Sequence, residues 1–217
     1  MHRFRRKCVP APTCFRSSGR GISATVATLL EGPSKVKSLT GQFLISMPKL
    51  RGSLFADSVI YLWAHDEQGA QGLIVNHAYD LTLAKLLDQL EIPSQGGLDV
   101  QVAAGGPVEP QRGFILHSDE VSIDSSEPAG DGLAISYSRE ILDLIGAHRG
   151  PAQYLVALGY SGWGPGQLEH ELADSAWLTA PSSLEALFEL PFEKRLDHVA
   201  NVLGIDLRLL GADAGHA

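Results

Sequence analysis

The feature that most limits the fold is a succession of short apolar runs that begins near Gly41. The runs are five to eight residues long and are bounded mainly by Gly, Pro and Asp, as β-strands are. They read QFLISM, SVIYLWAH, AQGLIVN, VQVAA, RGFILHS, LAISY, QYLVALG and AWLTA. Segments with helical periodicity interrupt them, so we predict an α+β fold, a single domain with a mixed or antiparallel sheet.

Helices are predicted where apolar residues recur at offsets of three and four. The apolar positions are Leu83, Leu86, Leu87 and Leu90 in the first helix, Ile141, Leu142 and Ile145 in the second, and Leu196, Val199 and Leu203 in the last. Ser138 is the predicted N-cap of the second helix, and Gly146 its C-terminal turn. Ser182 and Glu185 predict a capping box for a further short helix.

The charges are distributed unevenly along the chain. Residues 1–40 hold eight basic side chains and one acidic one, which leaves nine basic and 24 acidic residues and a net charge of −15 in the remainder. We therefore predict a disordered basic extension over 1–40, a folded domain over 41–210 and a flexible tail over 211–217. A transit peptide or a nucleic-acid-binding tail is the alternative for the extension.

The cysteines restrict the chemistry of the folded part. Cys8 and Cys14 are the only two in the chain, and both precede Gly41. A cysteine nucleophile, a structural cysteine–zinc site and a disulfide framework are therefore excluded from the folded part. We expect no metal and no cofactor.

The most unusual segment is YLVALGYSGWGPGQLEHEL, which starts at Tyr154. It lacks the GK[ST] ending of a phosphate-binding loop, the G-x-G-x-x-G order of a dinucleotide site and the G-x-S-x-G order of a hydrolase elbow. A glycine-rich turn before a helix can still direct several N–H groups at an anion. A purely structural turn, with Trp163 packed on the core, is the favoured interpretation. The candidate ligand-binding residues here are Tyr160, Ser161, Trp163, Gly166 and Glu169.

A second candidate segment is AAGGPVEPQRGFILHS. Gly105 and Gly106 precede Arg112, whose guanidinium could hold a carboxylate or a phosphate. The favoured alternative is an internal ion pair between Arg112 and Glu109 or a neighbour, because the folded part has few bases and many acids.

The histidines offer a weaker signal. His65, His77 and His117 each stand near the end of a predicted strand, but no spacing requires them to meet around a metal ion. We expect them to bond backbone groups. His170 and Asp174 share a helical face, which we interpret as a solvated surface.

Three blocks in order give the chain a family resemblance: GQFLISMPKLRGSLFADSVIYLWAHDEQGAQGLIVNH, GGPVEPQRGFILHS and LGYSGWGPGQLEHELADSAWL. Over residues 41–207 the chain resembles the YqgE/AlgH family. The resemblance implies a strongly curved, barrel-like mixed sheet surrounded by helices. The family's label as a transcriptional regulator comes from alginate regulation and brings no established reaction. This chain departs from the family at Ala64, where a Glu is usual, and at Leu196, where a Trp is usual.

These observations favour a non-catalytic regulatory protein that binds a small molecule or another protein. The alternative is a metal- or nucleotide-dependent enzyme with a site near Tyr160–Gly166 that uses His65, His77, His117 or Glu169. Specific DNA binding by the folded part ranks third, because no helix-turn-helix and no basic recognition helix is present. No apolar run is long enough to span a bilayer. We predict a cytoplasmic protein.

Overall fold

The computed structural model describes residues 37–121 and 123–207. These residues form ten strands and four α-helices. The strands are β1 Gln42–Ser46, β2 Val59–Asp66, β3 Gly69–Ile74, β4 Ala78–Thr82, β5 Gln101–Ala104, β6 Val108–Ser118, β7 Glu127–Gly130, β8 Leu133–Ser136, β9 Tyr154–Trp163 and β10 Trp177–Pro181. The α-helices are α1 Leu83–Gln89, α2 Arg139–Gly146, α3 Gln167–Ala173 and α4 Phe192–Val202.

The strands form one curved mixed sheet, as predicted. Its order is β10-β1-β2-β3-β9-β6-β8-β7, and β4 and β5 branch from it. The pairing of β5 with β9 is parallel, and the others are antiparallel. The sheet curls far enough for the Tyr61 hydroxyl on β2 to donate to the Ala129 carbonyl on β7 at 2.8 Å. Burial, and then the charge of Asp131, raise the pKa of Tyr61.

The apolar residues of the sheet pack into separate clusters on its faces. One cluster fills the inside of the curl and includes Tyr61, Leu73 and Leu116. A second cluster packs α1 and α2 against the sheet, and a third places Trp163 and Trp177 beneath α3. Because β9 contributes to all three, its course decides how they are arranged.

The helix predictions were correct in position but wrong at two termini. Gly146 is the last, buried residue of α2, where a Cβ atom would lie 2.7 Å from the Pro93 carbonyl oxygen. It is therefore required for packing, and the positive φ falls on His148 instead. The predicted capping box is also wrong: Ser183, not Ser182, accepts from the Ala186 N–H at the short π-helical turn Glu185–Glu189.

The predicted basic extension and C-terminal tail lie outside the described residues, apart from residues 37–40. These boundaries stay predictions. None of the described helices is long and apolar enough to cross a membrane.

Candidate functional site

A cleft of about 460 Å³ opens at the end of the curl where the β2–β3 hairpin meets the last residues of β9. Small side chains leave the space open, since Ala64 and Gly162 line it. Polar and aromatic groups complete the lining: Asp66, Gln68, Gln71, Tyr160 and Trp163. The cleft therefore offers one carboxylate, two amides and aromatic surface to a ligand.

The course of β9 depends on close contacts between backbones. Gly159 has a φ of +71°, and a Cβ atom there would lie 2.3 Å from the Gly106 carbonyl oxygen. Cβ atoms at Gly105 and Gly106 would lie 2.3 Å from the carbonyl oxygens of Gly159 and Tyr160. Only glycine permits such an approach. The predicted candidates Gly105 and Gly106 thus support the cleft from behind, and neither lines it.

The predicted loop around Tyr160–Gly166 is mostly strand, so that prediction was wrong in part. β3 pairs with β9 at Gly72↔Ser161, Gln71↔Gly162 and Ala70↔Trp163, which holds the chain extended through Trp163. The turn is confined to 164–166, where Gly166 is the N-cap of α3 with a φ of +72°. The glycines of this segment led us to predict a turn several residues before the observed one. The strand that holds these residues extended, β3, lies about ninety residues away in sequence and gives no local signal.

Tyr160 and Ser161 occupy opposite environments on β9. The Tyr160 ring lies 5.8 Å from the Trp63 ring and 5.2 Å from the Phe114 ring, so it is a firmly packed wall of the cleft. Ser161 is fully buried, and its hydroxyl donates to the Gly105 carbonyl at 3.4 Å. Ser161 therefore belongs to the packing and does not reach the cleft.

Trp163 is anchored by an aromatic cluster and one carboxylate. Its ring lies 5.8 Å from Trp177 and 6.5 Å from Phe55. The Glu171 carboxylate accepts from the indole N–H of Trp163 at 2.9 Å and from that of Trp177 at 2.7 Å. Burial opposes the charge, but hydrogen bonds from Gln167 and the two indoles outweigh it and lower the pKa of Glu171.

Sequence reasoning missed Glu171. It stands in an acidic helical segment that the sequence shows as a solvated face. The only available signal was its place one helical turn after Gln167, between two tryptophans that both need an acceptor when buried.

His65 joins three segments on the other side of the hairpin. Its Nδ1 accepts from the Leu39 N–H at 2.9 Å, which assigns the ring proton to Nε2. Nε2 then donates to the Glu169 carboxylate at 2.8 Å. The Ser38 hydroxyl donates to the His65 carbonyl. Both ring nitrogens are thus occupied by structural partners, and the predicted backbone bond is confirmed.

The other histidines do not join this pair. The fully buried His117 bonds the Ser118 carbonyl through Nδ1 and the Ser136 hydroxyl through Nε2, both at 2.8 Å. His77 stands before β4, where its carbonyl accepts from the Ala104 N–H. Across residues 37–121 and 123–207, no three His, Cys, Asp or Glu side chains are grouped as a metal site would require.

Arg112 lies on an outward bulge of β6 and is already paired. Its guanidinium donates to Glu109 at 2.9 Å and lies over the Tyr137 and Phe114 rings, at 4.7 and 5.3 Å from their centres. The register of β6 against β9 jumps from Val108↔Tyr160 to Gly113↔Leu158, and none of the intervening residues lines the cleft. The predicted internal ion pair is confirmed.

The eight candidate residues therefore do not form one site. Of the eight, Tyr160 and Trp163 line the cleft, whereas the other six are not among its lining residues: Gly105, Gly106, Arg112, Ser161, Gly166 and Glu169. Asp66 and Gln71 were missed because the β2–β3 pairing of Asp66 with Gly69 and the β3–β9 pairing of Gln71 with Gly162 bring them to the cleft. Ala64, one of the departures from the family sequence, is part of the lining.

Comparison with known proteins identifies the family. A family model described as AlgH-like matches residues 43–208. The chain belongs to the AlgH-like family. A UPF0301 protein of Thioalkalivibrio sulfidiphilus is 48% identical over 181 residues, covering 83% of this chain and 97% of the relative. A UPF0301 protein of Laribacter hongkongensis is 47% identical over 183 residues, covering 82% and 97%.

Solved structures of similar proteins agree with the fold. The solution structure of AlgH from Pseudomonas aeruginosa is 44% identical, superposes with a TM-score of 0.70, and is matched over 86% of this chain and 100% of that chain. The crystal structure of a Corynebacterium diphtheriae protein gives a TM-score of 0.65 at 18% identity, over 83% and 95% of the two chains. The AlgH-like fold is thus an α+β curled half-barrel with helices packed on it.

Proposed function

We propose that this AlgH-like protein is a non-catalytic, regulatory binding protein whose ligand or protein partner occupies the cleft beside the β2–β3 hairpin. One observation carries the proposal: the cleft is open, whereas the reactive side chains around it are held by structural partners. His65 is bonded through both ring nitrogens, and Ser161 is buried against Gly105. What the cleft offers is recognition chemistry, namely Asp66, two glutamine amides and the Tyr160 ring.

The test is a thermal-shift screen of a metabolite library against three proteins. Gln71 is exposed and lines the cleft, so Gln71→Trp should fill it without disturbing the core. Gln111 is equally exposed but lies on the β6 bulge outside the lining, so Gln111→Trp is the matched control. We expect a compound that stabilises the natural protein and the control, leaves Gln71→Trp unaffected and is recovered unchanged.

Two results would contradict this proposal in different ways. A compound that stabilises all three proteins equally would show that the cleft is not the site. A compound converted to product would favour the alternative, a metal- or nucleotide-dependent enzyme, and His65→Gln and Glu169→Gln would then be the variants to assay.

Any effect on transcription is, in this proposal, indirect. With only nine basic residues against 24 acidic ones beyond residue 40, the folded part has little charge with which to meet phosphates. A salt titration of residues 39–217 on genomic fragments should retain no enriched sequence at about 0.15 M salt. Tight recovery of one sequence would restore direct DNA binding. The cytoplasmic location stays a prediction.

A further inference from the structure

A second cavity, of about 480 Å³, lies where the start of β5, the start of β9 and the turn into α4 meet. Its lining combines polar groups with apolar side chains, and the apolar ones include Val100, Leu155, Val156, Leu187, Phe188 and Phe192. It shares no lining residue with the cleft beside the hairpin.

One charged side chain in this wall is buried: Arg195, which is 5% exposed. Its Nε donates to the Leu190 carbonyl at 2.9 Å, and Nη1 donates to the Val75 carbonyl. The guanidinium lies 4.2 Å from the centre of the Phe192 ring. Leu190, Phe192 and Arg195 itself all line the cavity.

All these partners of Arg195 are neutral. Among the described residues, no carboxylate lies within ion-pair distance of the guanidinium. A buried charge is costly unless a countercharge compensates it. Burial lowers the pKa of Arg195 to about 10, against the opposing effect of Glu193, and the group still carries its charge at neutral pH.

The first turn of α4 adds a second positive feature to the same wall. α4 has eleven residues, and its N-cap Pro191 provides no side-chain hydrogen bond. Pro191, Phe192 and Glu193 all line the cavity. The Lys194 N–H already donates to the Pro191 carbonyl, whereas the N–H groups of Phe192 and Glu193 lack intrahelical partners and carry partial positive charge, so this end favours an anion.

We propose that this second cavity binds a monocarboxylate with an apolar body, and that Arg195 and the N-terminus of α4 hold its carboxylate. Because Nε and Nη1 of Arg195 donate to backbone carbonyls, Nη2 supplies the charge-assisted hydrogen bonds to the carboxylate, and the apolar side chains of the lining accommodate the rest of the molecule. The site is separate from the proposed function and does not depend on it.

Exposed acidic residues at the rim of the cavity restrict the kinds of anion that can bind. Asp99, Glu189 and Glu193 are exposed residues of the lining, and they repel anions that approach. The repulsion is screened by salt over about 8 Å at physiological ionic strength. The attraction of a buried guanidinium is screened less. The rim therefore disfavours multiply charged anions such as phosphate and admits a singly charged acid whose apolar part contributes affinity.

The experiment uses the full chain and three probes: octanoate, octanol and inorganic phosphate. Binding of each probe is measured by calorimetry and by the NMR signal of the Arg195 Nε–H. We expect octanoate to bind and to shift that signal. Octanol should bind at least about tenfold more weakly, because it lacks the charged hydrogen bonds. Phosphate should produce no shift. Equal binding of octanol and octanoate, binding of phosphate, or the absence of octanoate binding would each overturn the proposal.

Two variants test the location without altering Arg195. Val100 is 48% exposed, so Val100→Trp should narrow the cavity and weaken octanoate at least about tenfold while the protein stays folded. Glu193→Gln removes one rim charge and should tighten octanoate about two- to fivefold at low salt. Unchanged affinity in Val100→Trp, or weaker binding in Glu193→Gln, would place octanoate elsewhere.

Discussion

The cleft beside the hairpin and the cavity beside α4 have similar volumes, but their charged groups are compensated differently. Around the cleft, Glu171 accepts from two indoles and Glu169 accepts from His65. In the α4 cavity, the Arg195 guanidinium has only neutral partners among the described residues. Compensated groups stabilise the fold that surrounds a site, whereas an uncompensated charge is available to a ligand.

This difference has an origin in local structure. The charged groups that are compensated around the cleft lie on β2 and α3, where Glu169 accepts from His65 and Glu171 accepts from the indoles of Trp163 and Trp177. α4 packs against the sheet through Val199 and also bonds the Val75 carbonyl after β3 through Arg195. The long side chain of Arg195 thereby carries its charge into the protein interior.

The largest effect is expected for Trp163→Ala. Trp163 is 6% exposed and contacts two rings and the Glu171 carboxylate, so its truncation should cost about 3–5 kcal/mol in the free energy of unfolding, measured by chemical denaturation. Phe188, a half-buried aromatic of the α4 cavity, is the comparator, and Phe188→Ala should cost only about 1–2 kcal/mol. Equal losses in the free energy of unfolding would mean that the aromatic side chains of the cleft and of the α4 cavity contribute equally to stability. An unchanged stability of Trp163→Ala with a lost ligand would assign Trp163 to binding.

Gly159 in β9 and Gly166 in the turn before α3 provide the next test, which compares two glycines with positive φ in different surroundings. Gly166→Ala places a Cβ in open space, so only the positive φ opposes it, at about 1–2 kcal/mol. Gly159→Ala carries the same backbone strain and also forces a Cβ against the Gly106 carbonyl, so it should cost more or prevent folding. Thermal unfolding of both variants measures the difference. Equal losses would show that the crossing of β9 over residues 105–106 can relax.

The strands illustrate what the sequence can predict. Eight of the ten were marked by apolar runs, because a strand buried on a curved sheet needs them whatever its partner is. β4 and β7 were not predicted: AYDLT is largely exposed, and EPAG has a proline, a glycine and no alternation. Both strands exist because a neighbour supplies a pairing edge, and such distant pairing leaves no local signal.

The candidate site shows the same limit. Tyr160 and Trp163 were predicted from an unusual local composition, whereas Asp66 and Gln71 entered the lining through register with β9. Arg195 directly precedes Leu196, one of the departures from the family sequence, and no local pattern marks it as buried. Its burial depends on where α4 packs, which periodicity along the helix does not specify.

The free energy of unfolding measured at acidic pH should distinguish the role of Glu171 from that of the carboxylates at the rim of the α4 cavity. The pKa of Glu171 is lowered in the folded state, so its contribution is present above the unfolded value near 4.3 and is lost as pH falls through the folded pKa. Glu171→Gln should therefore be less stable than the natural protein at pH 7, and its stability should fall less steeply below about pH 4.5. Glu193→Gln, which removes an exposed acid of the α4 rim, is the control for the loss of one negative charge. Parallel profiles for all three proteins would contradict this assignment.

The smallest effect is expected for Arg112, which the sequence offers as a candidate anion ligand but favours as a member of an internal ion pair. Its ion pair with Glu109 joins side chains that are 45% and 48% exposed, and exposed pairs contribute about 0–1 kcal/mol. Stacking on Tyr137 is also near the surface and adds little. Arg112→Ala should therefore change the free energy of unfolding by no more than about 1 kcal/mol and leave octanoate binding at the α4 cavity intact.

Arg112→Lys, which keeps the charge but not the planar stacking, separates the contribution of the ion pair from that of the stacking. A loss above about 2 kcal/mol would mean that the bulge of β6 is anchored as firmly as α4 is by Arg195, because only a buried or networked charge has an effect of that size.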